Sequence, residues 1–290
     1  MQQIDTIDRL REVVRAARAE GNRIGLVPTM GYLHEGHLSL VEAAKRQADF
    51  VVVSIFVNPL QFGPSEDLDK YPKDLERDLA LLTQQGHCDV VFTPTVQEMY
   101  PTPMATSVEL PELAKFLCGK TRPTHFQGVA TVVSKLFHIV LPDVAFFGQK
   151  DGQQLAVIRR MVKDLNFPIE VVGVPTVREA DGLAKSSRNV YLTPEERAHA
   201  TILYRALCWA RDRIAKGPTS GRELSDGMRK IIAEDGVGRL DYAEVVSMDT
   251  LAPIERLEGP VMLAIAVYFG KARLIDNLQL TIENGRIAGS

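Results

Sequence analysis

Residues 50–57 read FVVVSIFV, with Ser54 the one polar side chain among eight. A strand with one solvated face alternates apolar and polar residues. This stretch does not alternate, so it predicts a strand covered on both faces, as in a parallel sheet between two helix layers. It also falls well short of a membrane-spanning helix, which needs roughly 18 or more apolar positions.

Upstream, Asp5–Glu20 places Ile7, Leu10, Val13, Val14 and Ala17 at helical spacing and is closed by Gly21. Arg23–Val27 (RIGLV) is a short strand broken by Pro28-Thr29-Met30-Gly31, and a helix follows from about His37. Downstream, helix Leu68–Gln85, strand Val90–Phe92, helix Val129–Val140, strand Val144–Phe147, helix Gln153–Asp164 and strand Ile169–Val174 continue the alternation. Such alternation predicts a doubly wound, Rossmann-like α/β domain with a parallel sheet. The texture changes after about Val177. Thr193-Pro194 opens a helix that continues through Leu203, Leu207 and Ile214, and a second helix runs from about Arg222 to Glu234. Strands are expected at Tyr242–Ser247, Val261–Phe269 and Asn277–Ile282. Residues 1–176 are thus expected to form the Rossmann-like domain and residues 177–290 a smaller C-terminal α+β lid.

The chain has 290 residues, a net charge of −3, 45% apolar and 24% charged residues. These values suit a globular protein with a sizeable core. They count against disorder and against nucleic-acid binding by bulk charge. Cys88, Cys118 and Cys208 are scattered and form no CxxC pair, so neither a disulfide framework nor a cysteine zinc site is expected and a reducing cytoplasm fits. Met1–Gly21 carries charges throughout and lacks the apolar run of a secretory signal.

Four polar clusters follow strand ends, where open α/β sheets bind ligands. The first is Pro28–His37, PTMGYLHEGH. A helix N-terminus presents backbone N–H groups and a partial positive charge, which favour phosphate, and two histidines add donors beside it. Their HxxH spacing is not that of an HExxH zinc site, and no third ligand group is evident. The second is FVNPLQF at 56–62, where Asn58 and Gln61 offer neutral hydrogen bonds to a small polar substrate. The third, FGQKDGQQ at 147–154, supplies Lys150 for phosphate and Asp151 for ribose hydroxyls, although alone it reads as a polar turn. The fourth, DGLAKSSRN at 181–189, has the small, hydroxyl and basic residues of a phosphate-binding lid, or of an interdomain linker. Convergence on one cleft is the expectation. No GxGxxG turn, Walker A loop or GxSxG elbow occurs.

HEGH resembles the HxGH signature of the nucleotidyltransferase superfamily, and LAKSSRN resembles its KMSKS-type loop. The ordered set VPTMGYLHEGHLSL, FVNPLQF, RPTHFQGV, FFGQKDGQQ, VPTVREADGLAKSSRN and RLIDN is similar to the pantothenate synthetases, from about Gly25 to Asn277. That resemblance implies a cytoplasmic, homodimeric, AMP-forming ligase that joins pantoate to β-alanine through pantoyl adenylate, using ATP with Mg2+. It implies an ATP site at Met30, Gly31, Tyr32, Leu33, His34, Glu35, Gly36 and His37, with His37 as proton donor. Gly148, Gln149, Lys150, Asp151, Val177, Lys185, Ser186, Ser187 and Arg188 extend that site, Val177 meeting adenine through its backbone. His34, His37 and Lys150 are the implied catalytic groups; Gln61, Gln154 and Asn58 hold pantoate, with Gln61 also near β-alanine. Arg122 and His125 match a family motif, and Asp78 falls where an acidic pair assists Mg2+ in some members, here Arg77-Asp78.

Three departures stand out. Gln149 and Gly152 replace an acid and an aromatic of the commoner pattern, and Lys185 replaces an apolar residue. Gly152 is expected to leave out an aromatic wall, so that Gly152→Tyr is tolerated if the position is only a wall. Lys185 is expected to tighten triphosphate binding. The competing readings are a nucleotidylyltransferase acting on another acceptor and a nucleotide-binding module without turnover.

Overall fold

A computed structural model describes residues 1–63 and 68–288; residues 64–67 and 289–290, which the expected domain spans include, lie outside the described residues. The first elements are β1 (Gln2–Ile4), α1 (Ile7–Ala19), β2 (Ile24–Thr29), α2 (Glu35–Lys45), β3 (Phe50–Ile55), α3 (Leu75–Gln85) and β4 (Val90–Phe92). Three single turns follow, α4 (Val96–Met99), α5 (Pro111–Ala114) and α6 (Cys118–Thr121), then α7 (His125–Val140), β5 (Val144–Gly148), α8 (Gly152–Asp164) and β6 (Glu170–Val174). The remainder is α9 (Pro194–His199), α10 (Ile202–Ala215), α11 (Gly221–Asp235), β7 (Arg239–Ser247), β8 (Gly259–Phe269), β9 (Ala272–Glu283) and β10 (Arg286–Ile287).

Two compact units result, one of residues 1–111, 122–148 and 157–175, the other of 112–121, 149–156 and 176–290. The division is therefore not a single cut: two internal segments, one of them opening α8, belong with the C-terminal residues.

The first unit holds a six-stranded sheet in the order β1-β4-β3-β2-β5-β6, parallel at every pair. Val51, Val52 and Val53 are fully buried, as a strand sandwiched between helix layers requires. The chain leaves β2 for β3 on one side and later returns to β5 on the other. That reversal puts the carboxyl end of β2, and the turn into α2, where such sheets bind ligands. The second unit carries an antiparallel sheet, β10-β9-β8-β7. Leu203, Leu207 and Ile214 of α10 and Leu224 and Met228 of α11 pack with Val245, Leu263 and Ile265 in its core.

Some boundaries differ from the sequence reading. The expected helix from Leu68 is a 3-10 turn at Leu68–Lys70 and a separate α3. Pro72 interrupts the run, and Asp74 caps the new start by accepting the Arg77 N–H (3.1 Å). Thr193 caps α9 through a capping box with Glu196. The helix then breaks before α10, where Thr201 Oγ1 donates to the Ala198 carbonyl (3.2 Å), a local bond that competes with the helical ladder. Strand β9 begins at Ala272 rather than Asn277.

Candidate active site

In the first unit, α2 starts at Glu35 with His34 as its N-cap, earlier than the apolar periodicity suggests. His34 Nδ1 accepts the Gly36 N–H (3.1 Å), and His37 Nδ1 accepts the His34 N–H (3.3 Å). With both Nδ1 atoms accepting, each neutral ring carries its proton on Nε2. The rings lie 4.1 Å apart between centroids. The motif thus builds an imidazole capping box that sets two tautomers and leads into the helix N-terminus.

The turn before it is held from α3. Asp78 Oδ2 accepts the Tyr32 N–H and Oδ1 the Leu33 N–H, both at 2.7 Å, and Asp78 is 1% exposed. Gly31 and Tyr32 have φ of 82° and 50°, a left-handed pair in which the tyrosine needs such restraint. Arg77 donates to the Leu33 carbonyl (3.0 Å) and lies over the Tyr32 ring. Burial pushes the Asp78 carboxyl above its usual range, while the two N–H donors pull it down. With both oxygens on backbone N–H groups, this buried carboxylate fastens the turn. Among the described residues no group of three or more His, Cys, Asp or Glu side chains suits a metal ion.

Asn58 is tied into the first unit through both ends of its amide. Its amide donates to Gln61 Oε1 (3.2 Å) and the Gly128 carbonyl (3.1 Å), while its oxygen accepts the Leu60 N–H (3.3 Å) and the Tyr100 hydroxyl (2.8 Å). At 1% exposure it supports Gln61 from within the protein. Burial raises the Tyr100 pKa and keeps its hydroxyl a neutral donor. Gln61 Nε2 donates to Met30 Sδ (3.0 Å), a weak acceptor that a carboxylate or hydroxyl oxygen would improve on. His125 Nδ1 (2.9 Å) and Arg122 (3.4 Å) both donate to the Gln61 carbonyl, so the RPTHFQGV segment fixes the backbone of this turn. Gly128 lets α7 approach it: a Cβ there would lie 2.3 Å from the Leu60 carbonyl oxygen.

In the second unit, Gln149, Lys150 and Asp151 form a 3-10 turn, with Lys150 Nζ 3.5 Å from Asp151 Oδ1. Gly148, at the end of β5, leaves open space where a side chain would project. Gln153, unremarked in the sequence, is buried and takes the Cys118 N–H (2.9 Å) while donating to the Leu113 and Phe116 carbonyls. Its neighbour Gln154 is half-buried. Gly152 is more than a missing wall: a Cβ would sit 2.5 Å from Met262 Sδ and 3.1 Å from both amide atoms of Asn277. The expected tolerance of Gly152→Tyr therefore fails its premise.

Val177–Lys185 folds back on itself, the Lys185 N–H donating to the Val177 carbonyl (2.9 Å) and the Glu179 N–H to the Leu183 carbonyl (2.8 Å). Lys185 Nζ pairs with Glu179 (2.9 Å) across this hairpin. Ser186 Oγ accepts the Arg188 N–H (3.3 Å), capping a 3-10 turn at Ser187–Tyr191 in which Ser187 is buried. A small cavity in this unit is lined by Lys150, Ser186, Asn189 and Asp276, among others. The buried Asn189 Oδ1 has no hydrogen-bond partner.

The first unit thus carries a doubly wound sheet with an HxGH helix start, and the second a lysine turn and a Lys-Ser-Ser-Arg loop. A sequence model of the family described as pantoate-beta-alanine ligase matches residues 2–279. The pantothenate synthetase of Caldicellulosiruptor bescii is 54% identical over 275 residues, covering 95% of this chain and 97% of that protein. The crystal structure of the Thermus thermophilus enzyme aligns with a TM-score of 0.90 at 51% identity, over 96% of this chain and 99% of the other. That of the Francisella tularensis ligase, complexed with beta-gamma ATP and beta-alanine, aligns with a TM-score of 0.78 at 35% identity, over 96% and 97%. The chain belongs to the pantoate–β-alanine ligase family.

Proposed function

We propose that the protein condenses pantoate with β-alanine at the expense of ATP, through pantoyl adenylate. A pantoate carboxylate oxygen attacks the α-phosphorus, the bond to the β-phosphate oxygen breaks, and pyrophosphate leaves. The amine of β-alanine then attacks the acyl carbon, the acyl–oxygen bond breaks, and AMP leaves with the bridging oxygen as the amine loses a proton. Such chemistry needs positioning and charge neutralisation more than a protein nucleophile.

The observation that carries this reading is the imidazole capping box, with both Nδ1 atoms accepting backbone N–H groups. Two Nε2–H donors at a helix N-terminus suit a phosphate chain whose charge grows as pyrophosphate departs. His37 is the proton donor in this reading, and Lys150 meets phosphate and Asp151 ribose. The Val177 carbonyl already accepts from Lys185, so its N–H is the group for an adenine acceptor. Gln61 and Gln154 hold pantoate. Lys185 to Arg188 close on the triphosphate, and Mg2+ arrives with ATP, keeping most of its waters. A homodimer in the cytoplasm goes with this reading, supported by the family resemblance.

Pyrophosphate release measured with ATP and pantoate tests the proposal. Release that requires pantoate, followed by AMP release that requires β-alanine, is the expected result. Pantoate-dependent pyrophosphate with no β-alanine-dependent AMP would leave a nucleotidylyltransferase instead.

A further inference from the structure

The segment Arg273–Asn277, RLIDN, has no role in the reaction as set out so far. Its last two residues are buried and polar, Asp276 at 3% and Asn277 at 6% exposure. Buried polar groups persist where they are paired, so their partners reveal their use. Asp276 takes a two-pronged ion pair from Arg178, at 2.6 and 2.9 Å, and Arg178 also donates to the Gly182 carbonyl (3.1 Å). The carboxylate thereby anchors the base of the hairpin that leads to Lys185–Arg188. Asn277 Nδ2 donates to the carbonyls of Gln149 (2.9 Å) and Lys150 (2.8 Å). That amide anchors the turn carrying Lys150 and Asp151. Successive residues of a strand face opposite ways, so one dipeptide on β9 reaches both segments. A third bond joins the two halves: the Asn277 N–H donates to Asp276 Oδ1 (2.8 Å).

We propose that Asp276 and Asn277 are a positioning pair that sets the Lys150 turn and the Lys185–Arg188 loop in register with each other for nucleotide binding and adenylate formation. The pair acts through the segments it holds and touches no substrate. The cavity lined by Lys150, Ser186 and Asp276 is the place where the two held segments come together. The inference rests on the reading of Lys150, Asp151 and Lys185–Arg188 as the ATP-binding groups. Each half of the pair has a separate consequence: loss of Asn277 frees the lysine turn, and loss of Asp276 frees the hairpin base.

The test uses Asn277→Ala and Asp276→Asn in the full chain, with Glu283→Ala on the exposed end of β9 as control and a thermal melt to confirm folding. Two readouts are taken: ATP affinity by calorimetry, and single-turnover rates for adenylate formation and for β-alanine attack on pre-formed pantoyl adenylate. Loss of two hydrogen bonds to one turn corresponds to roughly a tenfold change. Asn277→Ala is therefore expected to weaken ATP binding or slow adenylate formation about tenfold, with the β-alanine step changed less than about twofold. Asp276→Asn acts in the same direction, and Glu283→Ala leaves both steps unchanged. Equal loss in both half-reactions with unchanged ATP affinity would mark a merely structural role and overturn the proposal, as would no loss in either variant. Wild-type protein that binds ATP but releases no pyrophosphate with pantoate would sink the functional reading alone. The affinity difference between wild type and variants then still decides the positioning role.

Discussion

The His34–His37 turn and the Lys185–Arg188 loop, to which the proposed reaction gives the phosphates, are held in different ways. The histidine turn is locked throughout its length. Asp78 grips two successive N–H groups from below, and each ring is tied to backbone N–H through Nδ1. The basic loop is gripped at its base by Asp276 through Arg178, whereas its Lys185 side chain ends in an ion pair with Glu179. A buried grip organises donors before the substrate arrives. A partly solvated ion pair exchanges readily for a phosphate oxygen. The first region therefore reads as preorganised, and the second as charge held in reserve.

The largest effects should come from the groups placed at phosphate. His37→Ala and Lys150→Ala are each expected to slow adenylate formation about 100- to 1,000-fold; Lys150→Ala melts like the wild type, whereas His37→Ala loses about 1 kcal/mol of stability with its bond to the His34 N–H. Unchanged single-turnover formation in either variant would remove the assigned role. Next comes the fastener: Asp78→Asn keeps the shape but can accept only one N–H through its carbonyl oxygen. Stability is expected to fall by about 1–3 kcal/mol, with adenylate formation slowed about tenfold, measured by denaturant melt and rapid quench. A metal role would instead show as a changed Mg2+ dependence at unchanged stability.

Most of the fold was legible because FVVVSIFV and its neighbours are apolar on both faces, and helices with clear stripes separate them. The edge strand β1 escaped notice because Gln2–Ile4 offers a single buried apolar residue. The site was legible as motifs but not as roles. Asn58 reads as a ligand because it follows a strand end, but its partners Tyr100 and Gly128, 42 and 70 residues away, are invisible to a local pattern. The bond from the Tyr32 N–H to Asp78 likewise spans 46 residues. Asp276 and Asn277 sat in a recognised motif, but their partners near 150 and 178 follow from tertiary packing that no local pattern encodes.

Two smaller effects sharpen the comparison. Gly152→Tyr should raise the KM for ATP about threefold to tenfold, because overpacking presses on Met262 and Asn277. Adding Met262→Ala should recover part of the loss, and steady-state kinetics of the single and double variants checks this. Lys185→Ala should raise the KM for ATP about threefold to fivefold, because its partly solvated pair with Glu179 exchanges for a phosphate oxygen. An unchanged KM would show that the lysine stays with Glu179 and does not meet the triphosphate.

Oxygen transfer from pantoate to AMP tests the central claim most directly. Pantoate carrying 18O in its carboxylate is incubated with ATP and β-alanine, and the AMP and pyrophosphate are analysed by mass spectrometry. The adenylate route predicts one 18O in the AMP phosphate and none in pyrophosphate. AMP without the label, or label in pyrophosphate, would contradict it.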